Sequence, residues 1–172
     1  IRDSESVAVR VRATQPDVVF HLAAQSLVRR SYREPVGTWS TNVMGTAHVL
    51  EAVRHLQTPC AVVVVTTDKV YENREWEHPY RECDPLGGHD PYSASKAGAE
   101  LIAESWRKSF FTGGVVRLAT ARAGNVIGGG DWCEDRIFPD LARAFAGNRP
   151  LAVRNRHAVR PCLLYTSDAA DE

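Results

Sequence analysis

The sequence is short of the features that mark a metal, membrane or nucleic-acid protein. Its four cysteines, Cys60, Cys83, Cys133 and Cys162, stand too far apart for a C-x-x-C pair, and its six histidines show no ligand spacing. A zinc site draws on such clustered donors, so no metal is expected, and the cysteines read as free thiols in a reducing compartment. No apolar run approaches the ~18 residues of a membrane span. No charged-then-apolar leader opens the chain. An excess of one charge is missing too: 21 basic and 21 acidic side chains give a formal net charge of zero. That balance supplies no field to attract a nucleic acid or an anionic membrane, and neither is expected as a partner. Internal repeats and low-complexity linkers are also lacking. What these exclusions leave is an ordinary globular domain, read as cytoplasmic, with 44% hydrophobic and 24% charged residues.

What the chain does have is an alternation of apolar strands and helical patterns. Residues 4–13 carry the mixed polarity of the last turns of a helix. "PDVVFHLAA", 16–24, opens at Pro16 and Asp17 and predicts a short buried strand. The segment 34–57 places Val43, Ala47, Leu50 and Val53 at helical spacing, with Pro35 suited to a first turn. "CAVVVVTT", 60–67, predicts a second strand whose unbroken valines imply cover on both faces. A helix over 90–111, begun by Asp90 or Pro91, leads to a third strand over 114–126. A glycine loop at 127–132 precedes a helix over 135–148 that ends at Gly147 and Asn148. Strands and helices alternating through long crossovers imply an α/β fold, a doubly wound parallel sheet with helices on both faces.

Such sheets bind ligands at the carboxyl ends of their strands. There the valine run turns polar, at Thr66, Thr67, Asp68 and Lys69. Taken alone, an ordinary strand-to-loop transition reads the same way. "PYSASK" adds Tyr92 and Lys96, which at i and i+4 share one helix face. A nearby ammonium favours the phenolate and lowers a tyrosine pKa from about 10. A fall of about three units corresponds to roughly 4 kcal/mol of differential stabilisation. Tyr-x-x-x-Lys is common on exposed helices, but three companions raise its weight. Thr67 ends a neighbouring strand. "HLAAQ", 21–25, ends the preceding strand in small residues that admit a flat ligand. "NVMGT", 42–46, puts Asn42 and Gly45 on the next helix.

In combination, "FHLAAQS", "TNVMGT", "VVTTDKVY", "DPYSASK" and "ARAGNVIGGGDW" resemble the extended short-chain dehydrogenase/reductases that act on nucleotide sugars. "TTDKVYENREW", "DPLGGHDPYSASK" and "GNVIGGGDW", in that order, resemble the CDP-glucose 4,6-dehydratases among them, over about residues 1–161. The resemblance implies a Rossmann-like fold, NAD as cofactor, CDP-glucose as substrate and a homo-oligomeric parent enzyme. It implies that Tyr92 removes the proton of the sugar 4-hydroxyl, that Lys96 holds the nicotinamide ribose and lowers the tyrosine pKa, and that Thr67 binds the 4-oxygen. Asp68 becomes the acid at the departing 6-hydroxyl. Lys69 stands where dTDP-sugar dehydratases usually carry the glutamate base for C5. Two roles are open to it: base, if its pKa falls from about 10.4 toward 7, or a retained charge that steadies the enolate. Ala23, Ala24, Asn42 and Thr66 match positions lining the cofactor, together with Tyr92 and Lys96. Gln25, Ser26, Asn125, Arg136 and Arg160 match positions near the sugar or its diphosphate, with arginine suited to bidentate oxyanion contacts.

Against the family pattern, the chain has no G-x-x-G-x-x-G turn for the NAD pyrophosphate. The expectation is therefore a segment of that enzyme: residues 1–125 a partial NAD-binding domain, 126–161 the start of a substrate domain, and 162–172 an unrelated tail. "GGG" at 128–130 precedes no Lys-Ser/Thr and reads as a hinge. "RNRHAVR", 154–160, lacks the interleaved aromatics of a nucleic-acid patch. A 4-epimerase and a non-catalytic nucleotide-binding remnant are the alternatives. An epimerase has no use for the Asp68–Lys69 pair, and a remnant has none for the whole set.

Overall fold

The computed structural model describes residues 1–157 and 162–164. They fall into two units, Ile1–Arg122 and the residues from Ala123 onward. In the first, α1 (Ser4–Thr14) starts at Asp3, whose carboxylate accepts from the Glu5 and Ser6 amides. β1 (Val18–His21) follows, and then a short helix, α2 (Val28–Arg33), that the sequence pattern does not announce. Six residues, "VRRSYR", are too few to show a period. The predicted 34–57 helix is a run of three pieces: α3 (Pro35–Trp39), a π-helical turn (Ser40–Met44) and α4 (Gly45–Arg54). Pro35 takes its first position, as expected. β2 (Cys60–Thr67), a 3-10 turn (Asp68–Val70), α5 (Pro91–Ser109) and β3 (Val116–Ala123) follow.

The sheet order is β1-β2-β3. β1 and β2 run parallel, with Val18 opposite Ala61 and His21 opposite Val64. That register puts Val19 beside Val62 on one face, and Val18 and Phe20 with Ala61 and Val63 on the other. The first face is the core. Val62 and Val64 meet Leu50 and Val53 of α4 and Ala103 of α5, with Val11 of α1 packed behind. Burial of each such side chain stabilises the fold by about 1.5–3 kcal/mol. Small residues let the helices close up: a Cβ on Gly98 would lie 3.1 Å from Val43 Cγ2.

The α/β class with a parallel sheet stands, incomplete. Coverage of the sheet is where the structure departs from the valine run. Val18 and Phe20 are 50% and 66% exposed, and Ala61 is exposed as well. Among the described residues the core helices lie on one face only. Valine is favoured in strands for its branched Cβ as well as for its hydrophobicity, so a valine run does not by itself report two covered faces.

In the second unit, β4 (Asn125–Ile127) pairs in parallel with β5 (Cys162–Leu164), and α6 (Ile137–Ala146) lies between them in sequence. Its stop is the expected one: Gly147 N–H donates to Arg143 O, and Asn148 takes the left-handed φ of 45°. Among the described residues no helix is long and apolar enough to cross a membrane.

Candidate active site

β2 delivers its polar end at the carboxyl edge of the sheet. Thr66 and Thr67 are both buried. The Thr67 hydroxyl accepts from the Lys69 amide at 3.4 Å and donates to Asp68 Oδ1 at 2.9 Å. Lys69 Nζ donates to the same carboxylate oxygen at 3.1 Å. One hydroxyl thus caps the 3-10 turn and orients the carboxylate. Asp68 and Lys69 keep 28% and 31% of their side chains exposed, enough for a solute to reach both heads.

α5 brings the second half of the site. Asp90 caps it, accepting from the Tyr92 and Ser93 amides, and Pro91 follows at the first helical position. Ser31 Oγ, delivered by α2, also accepts from the Tyr92 amide at 3.1 Å. Tyr92 and Lys96 are 9% and 8% exposed. Lys96 Nζ donates to Val65 O at 2.9 Å. This hydrogen bond fastens the tyrosine–lysine helix to the strand whose next residues are Thr66, Thr67, Asp68 and Lys69. Burial pushes the Lys96 ammonium below the usual lysine range, and the nearby Glu100 charge opposes that push.

A frame of amides backs the lysine and tyrosine. Asn42, buried in the π-helical turn, donates from Nδ2 to Gln25 O and to Ser95 Oγ, while its Oδ1 accepts from the Gln25 amide at 2.8 Å. Ser95 Oγ donates in turn to Tyr92 O at 2.7 Å. The extra residue of a π turn re-aims side chains within a helix, and such turns recur at functional sites. His21 ends β1 with Nε2 3.1 Å from Thr46 Oγ1. Burial, helped by the Lys96 charge, lowers its pKa to about 4, so the imidazole is neutral.

The residues expected at the site therefore divide. Thr66, Thr67, Asp68, Lys69, Tyr92, Lys96 and Asn42 gather around the ends of β1 and β2 and the first turns of α5. Ala23 is exposed and Ala24 half-buried just beyond β1, leaving an uncluttered ledge. Gln25 spends its side chain on the chain itself: Nε2 donates to Thr38 Oγ1 and Leu27 O, and Oε1 accepts from the Leu27 amide. Ser26 is exposed beside it. Asn125 and Arg136 belong to the second unit, where Asn125 opens β4 and Arg136 Nη1 pairs with Asp131 at 3.2 Å. Arg160 lies outside the described residues. Among the described residues, no group of three or more potential metal ligands gathers. Four participants escape the sequence reading: Ser31, Ser95, Glu100 and Arg122. Glu100 alone left a signal, as the next member of the i, i+4 series Tyr92, Lys96, Glu100 on one helix face.

Comparison with known proteins shows the family. The sequence profile of the GDP-mannose 4,6 dehydratase family matches residues 1–169. The CDP-glucose 4,6-dehydratase of Salmonella typhimurium is 51% identical over 166 residues, covering 94% of this chain and 46% of that protein. A dTDP-glucose 4,6-dehydratase of Mycobacterium tuberculosis is 33% identical over 152 residues, covering 87% of this chain and 44% of its own. The chain thus spans about half the length of the curated relatives it matches. Among solved structures, the dTDP-glucose 4,6-dehydratase of Streptomyces venezuelae with NAD bound superposes with a TM-score of 0.79 at 28% identity, over 95% of this chain and 48% of that one.

Proposed function

The chain belongs to the GDP-mannose 4,6 dehydratase family, and from that premise we propose that it is the catalytic segment of an NAD-dependent 4,6-dehydratase acting on CDP-glucose. The product is CDP-4-keto-6-deoxyglucose, and one water is released. The choice of nucleotide rests on the 51% identity to the Salmonella enzyme. The observation that carries the reading is the Lys96 Nζ hydrogen bond to Val65 O, 2.9 Å. It couples a tyrosine–lysine helix suited to oxidation to a strand end bearing an acid and an amine suited to elimination.

The residues present fit the nicotinamide-ribose half of NAD. The Ala23–Ala24 ledge is open, and the neighbouring Lys96 side chain carries ammonium donors for ribose hydroxyls. The chain's own sequence holds no glycine-rich turn for the pyrophosphate. When bound there, NAD would supply the acceptor, and then the donor, for the hydride moved from C4 to C6. Tyr92 accepts the 4-hydroxyl proton, assisted by the Lys96 charge. Thr67 holds the 4-oxygen, and the ketone formed there acidifies the C5 proton. Asp68 protonates the departing 6-hydroxyl. Lys69, ion-paired to Asp68 at 3.1 Å, takes the C5 proton and returns one to C5 when C6 is reduced, or it steadies the enolate charge while another group takes and returns that proton. Asn125, Arg136 and Arg160 are assigned to the nucleotide diphosphate, and Ala23, Ala24, Asn42 and Thr66 to the cofactor. Gln25 and Ser26 are assigned to the border of the sugar. Residues 1–125 form the cofactor part and 126–161 open the substrate part. The free Cys60, Cys83, Cys133 and Cys162 suit a reducing cytoplasm, and the parent enzyme is assigned as a homo-oligomer by likeness to its family.

Incubating the full-length protein that carries these residues with CDP-glucose and NAD is expected to yield the 4-keto-6-deoxy sugar nucleotide. Lys69→Met is expected to slow dehydration by about 10²–10⁴-fold, the usual worth of a general acid or base, while oxidation at C4 persists. Epimerised sugar as the sole product would assign the chain to a 4-epimerase. Unimpaired dehydration by Lys69→Met would remove that residue from the elimination.

A further inference from the structure

Glu100 is a buried carboxylate with no part in the chemistry above. It lies one helical turn beyond Lys96 on α5 and is 4% exposed. Three elements converge on it. From β2, Thr66 Oγ1 donates to Oε1 at 2.5 Å. From β3, Thr120 Oγ1 donates to Oε2 at 3.0 Å, and Arg122 Nη2 donates to the same oxygen at 3.1 Å. Arg122 extends the network: Nη1 donates to Tyr71 Oη at 2.9 Å and to Glu82 O at 3.0 Å. Its guanidinium also stacks over the Tyr71 ring, 4.9 Å from the centroid. Tyr71 follows directly on the turn that carries Asp68 and Lys69.

A carboxylate placed so deep carries a large desolvation cost unless it is paired and fully hydrogen-bonded. Burial pushes the Glu100 carboxyl up, but donation from Arg122, Thr66 and Thr120 outweighs it, so the group is held below the usual carboxylate range and stays charged. We propose that Glu100 is a positioning residue for the site, clamping the Tyr92–Lys96 face of α5 to the ends of β2 and β3 and supplying the buried counter-charge that keeps the Lys96 ammonium protonated. Arg122 is its partner. It fixes the Glu100 carboxylate and, through Tyr71 and Glu82, holds the segment following Lys69. The inference rests on Lys96 being the site lysine of the proposed dehydratase, but its test needs neither cofactor nor substrate.

Other charged groups face Lys96 from the elements packed around it. His21 on β1 is neutral near pH 7, with its pKa lowered to about 4 by burial and the Lys96 charge. The Asp68–Lys69 pair sits on the 3-10 turn packed against α5 and is neutral in sum. Tyr92 lies on α5 itself. Arg122 acts from behind Glu100. Of these groups, Glu100 is the anion that opposes the desolvation of the ammonium.

The chain has only three lysines, Lys69, Lys96 and Lys108, so each is separable by NMR after lysine-specific ¹³C labelling. In Glu100→Gln the protonation constant of Lys96 is expected to fall about tenfold, as for the loss of a neighbouring opposite charge. Lys108 serves as the internal control. In Arg122→Gln the carboxylate remains and the cation goes, so the Lys96 constant is expected to rise. The two variants move it in opposite directions, and Arg122→Gln also keeps the question open to test should Glu100→Gln fail to fold. Lower stability in a folded variant with Lys96 titrating as in the parent chain would overturn the proposal, leaving Glu100 a structural ion pair. A failed dehydratase assay would leave the titration result untouched, so the two readings fail separately.

Discussion

His21 ends β1 with its imidazole buried 3.1 Å from the Thr46 hydroxyl, which itself donates to Asn42 O. Its pKa falls from 6.5 to about 4, first because burial disfavours the imidazolium and then because Lys96 repels it. For a base depressed in the folded state, the unfolded chain binds the proton first. Between pH 6.5 and about 4 the folded state is therefore penalised, progressively as pH falls, and above pH 6.5 the penalty vanishes. A span of about 2.5 units at about 1.4 kcal/mol each predicts a full loss of about 3.5 kcal/mol from this residue in strong acid, about 2 kcal/mol of it already reached at pH 5. Urea unfolding at pH 7 and pH 5 should show it as a lower midpoint in acid, and His21→Gln should flatten that difference. An equally steep pH dependence in His21→Gln would mean that other groups carry the acid sensitivity. At the same scale, the motifs in combination pointed to Tyr92, Lys96, Thr67, Asp68 and Lys69, which the structure sets on the end of β2, the turn after it and the first turns of α5. The pairing of Glu100 with Arg122 was not legible, because it spans 22 residues and the helical spacing that marks Glu100 announces nothing about Arg122.

At the scale of elements, the first turn of α5 is where several constraints meet. Asp90 caps it and Ser31 accepts from the Tyr92 amide. Gly88 lies so close that a Cβ there would stand 2.1 Å from Ala94 N and from Ser93 C. Backbone atoms cannot yield as the end of a flexible side chain can, so Gly88→Ala must displace the turn that carries Tyr92. Asp90→Ala, which only removes a cap, should cost about 1 kcal/mol. Gly88→Ala should cost more, toward the upper part of the roughly 1–3 kcal/mol range of overpacking. Urea midpoints of the two variants check the order; a Gly88→Ala chain as stable as the parent would show that the turn has slack. Most elements were readable from periodicity and punctuation: Pro35, Asp90, Pro91 and the Gly147–Asn148 stop all act where the sequence put them. The π-helical turn at Ser40–Met44 was not readable, since one extra residue inside a helix leaves the apolar spacing on either side intact. Nor was α2, which is too short to have a period.

For the whole molecule, the sheet has a covered face and an open one. Val62 and Val64 are sealed beneath α4 and α5, while Val18, Phe20 and Leu22 are at least half exposed. The chain spans 46% of its Salmonella relative, so it holds part of an architecture whose class the strand–helix alternation already declared. The polar end of β2 lies at the carboxyl edge of that sheet, where a doubly wound topology binds its ligands. One lysine hydrogen bond joins the end of β2 to the start of α5, the two places to which oxidation and elimination are assigned in the proposed function. The claim that they act in one reaction is open to a direct check by isotope. The full-length protein carrying these residues is given CDP-glucose deuterated at C4, with NAD, and the product is read by NMR. A 4-keto-6-deoxy product is expected, with the deuterium at C6, moved within the same sugar. Deuterium retained at C4 of an epimerised sugar, or a 6-deoxy product with no label at C6, would contradict that claim.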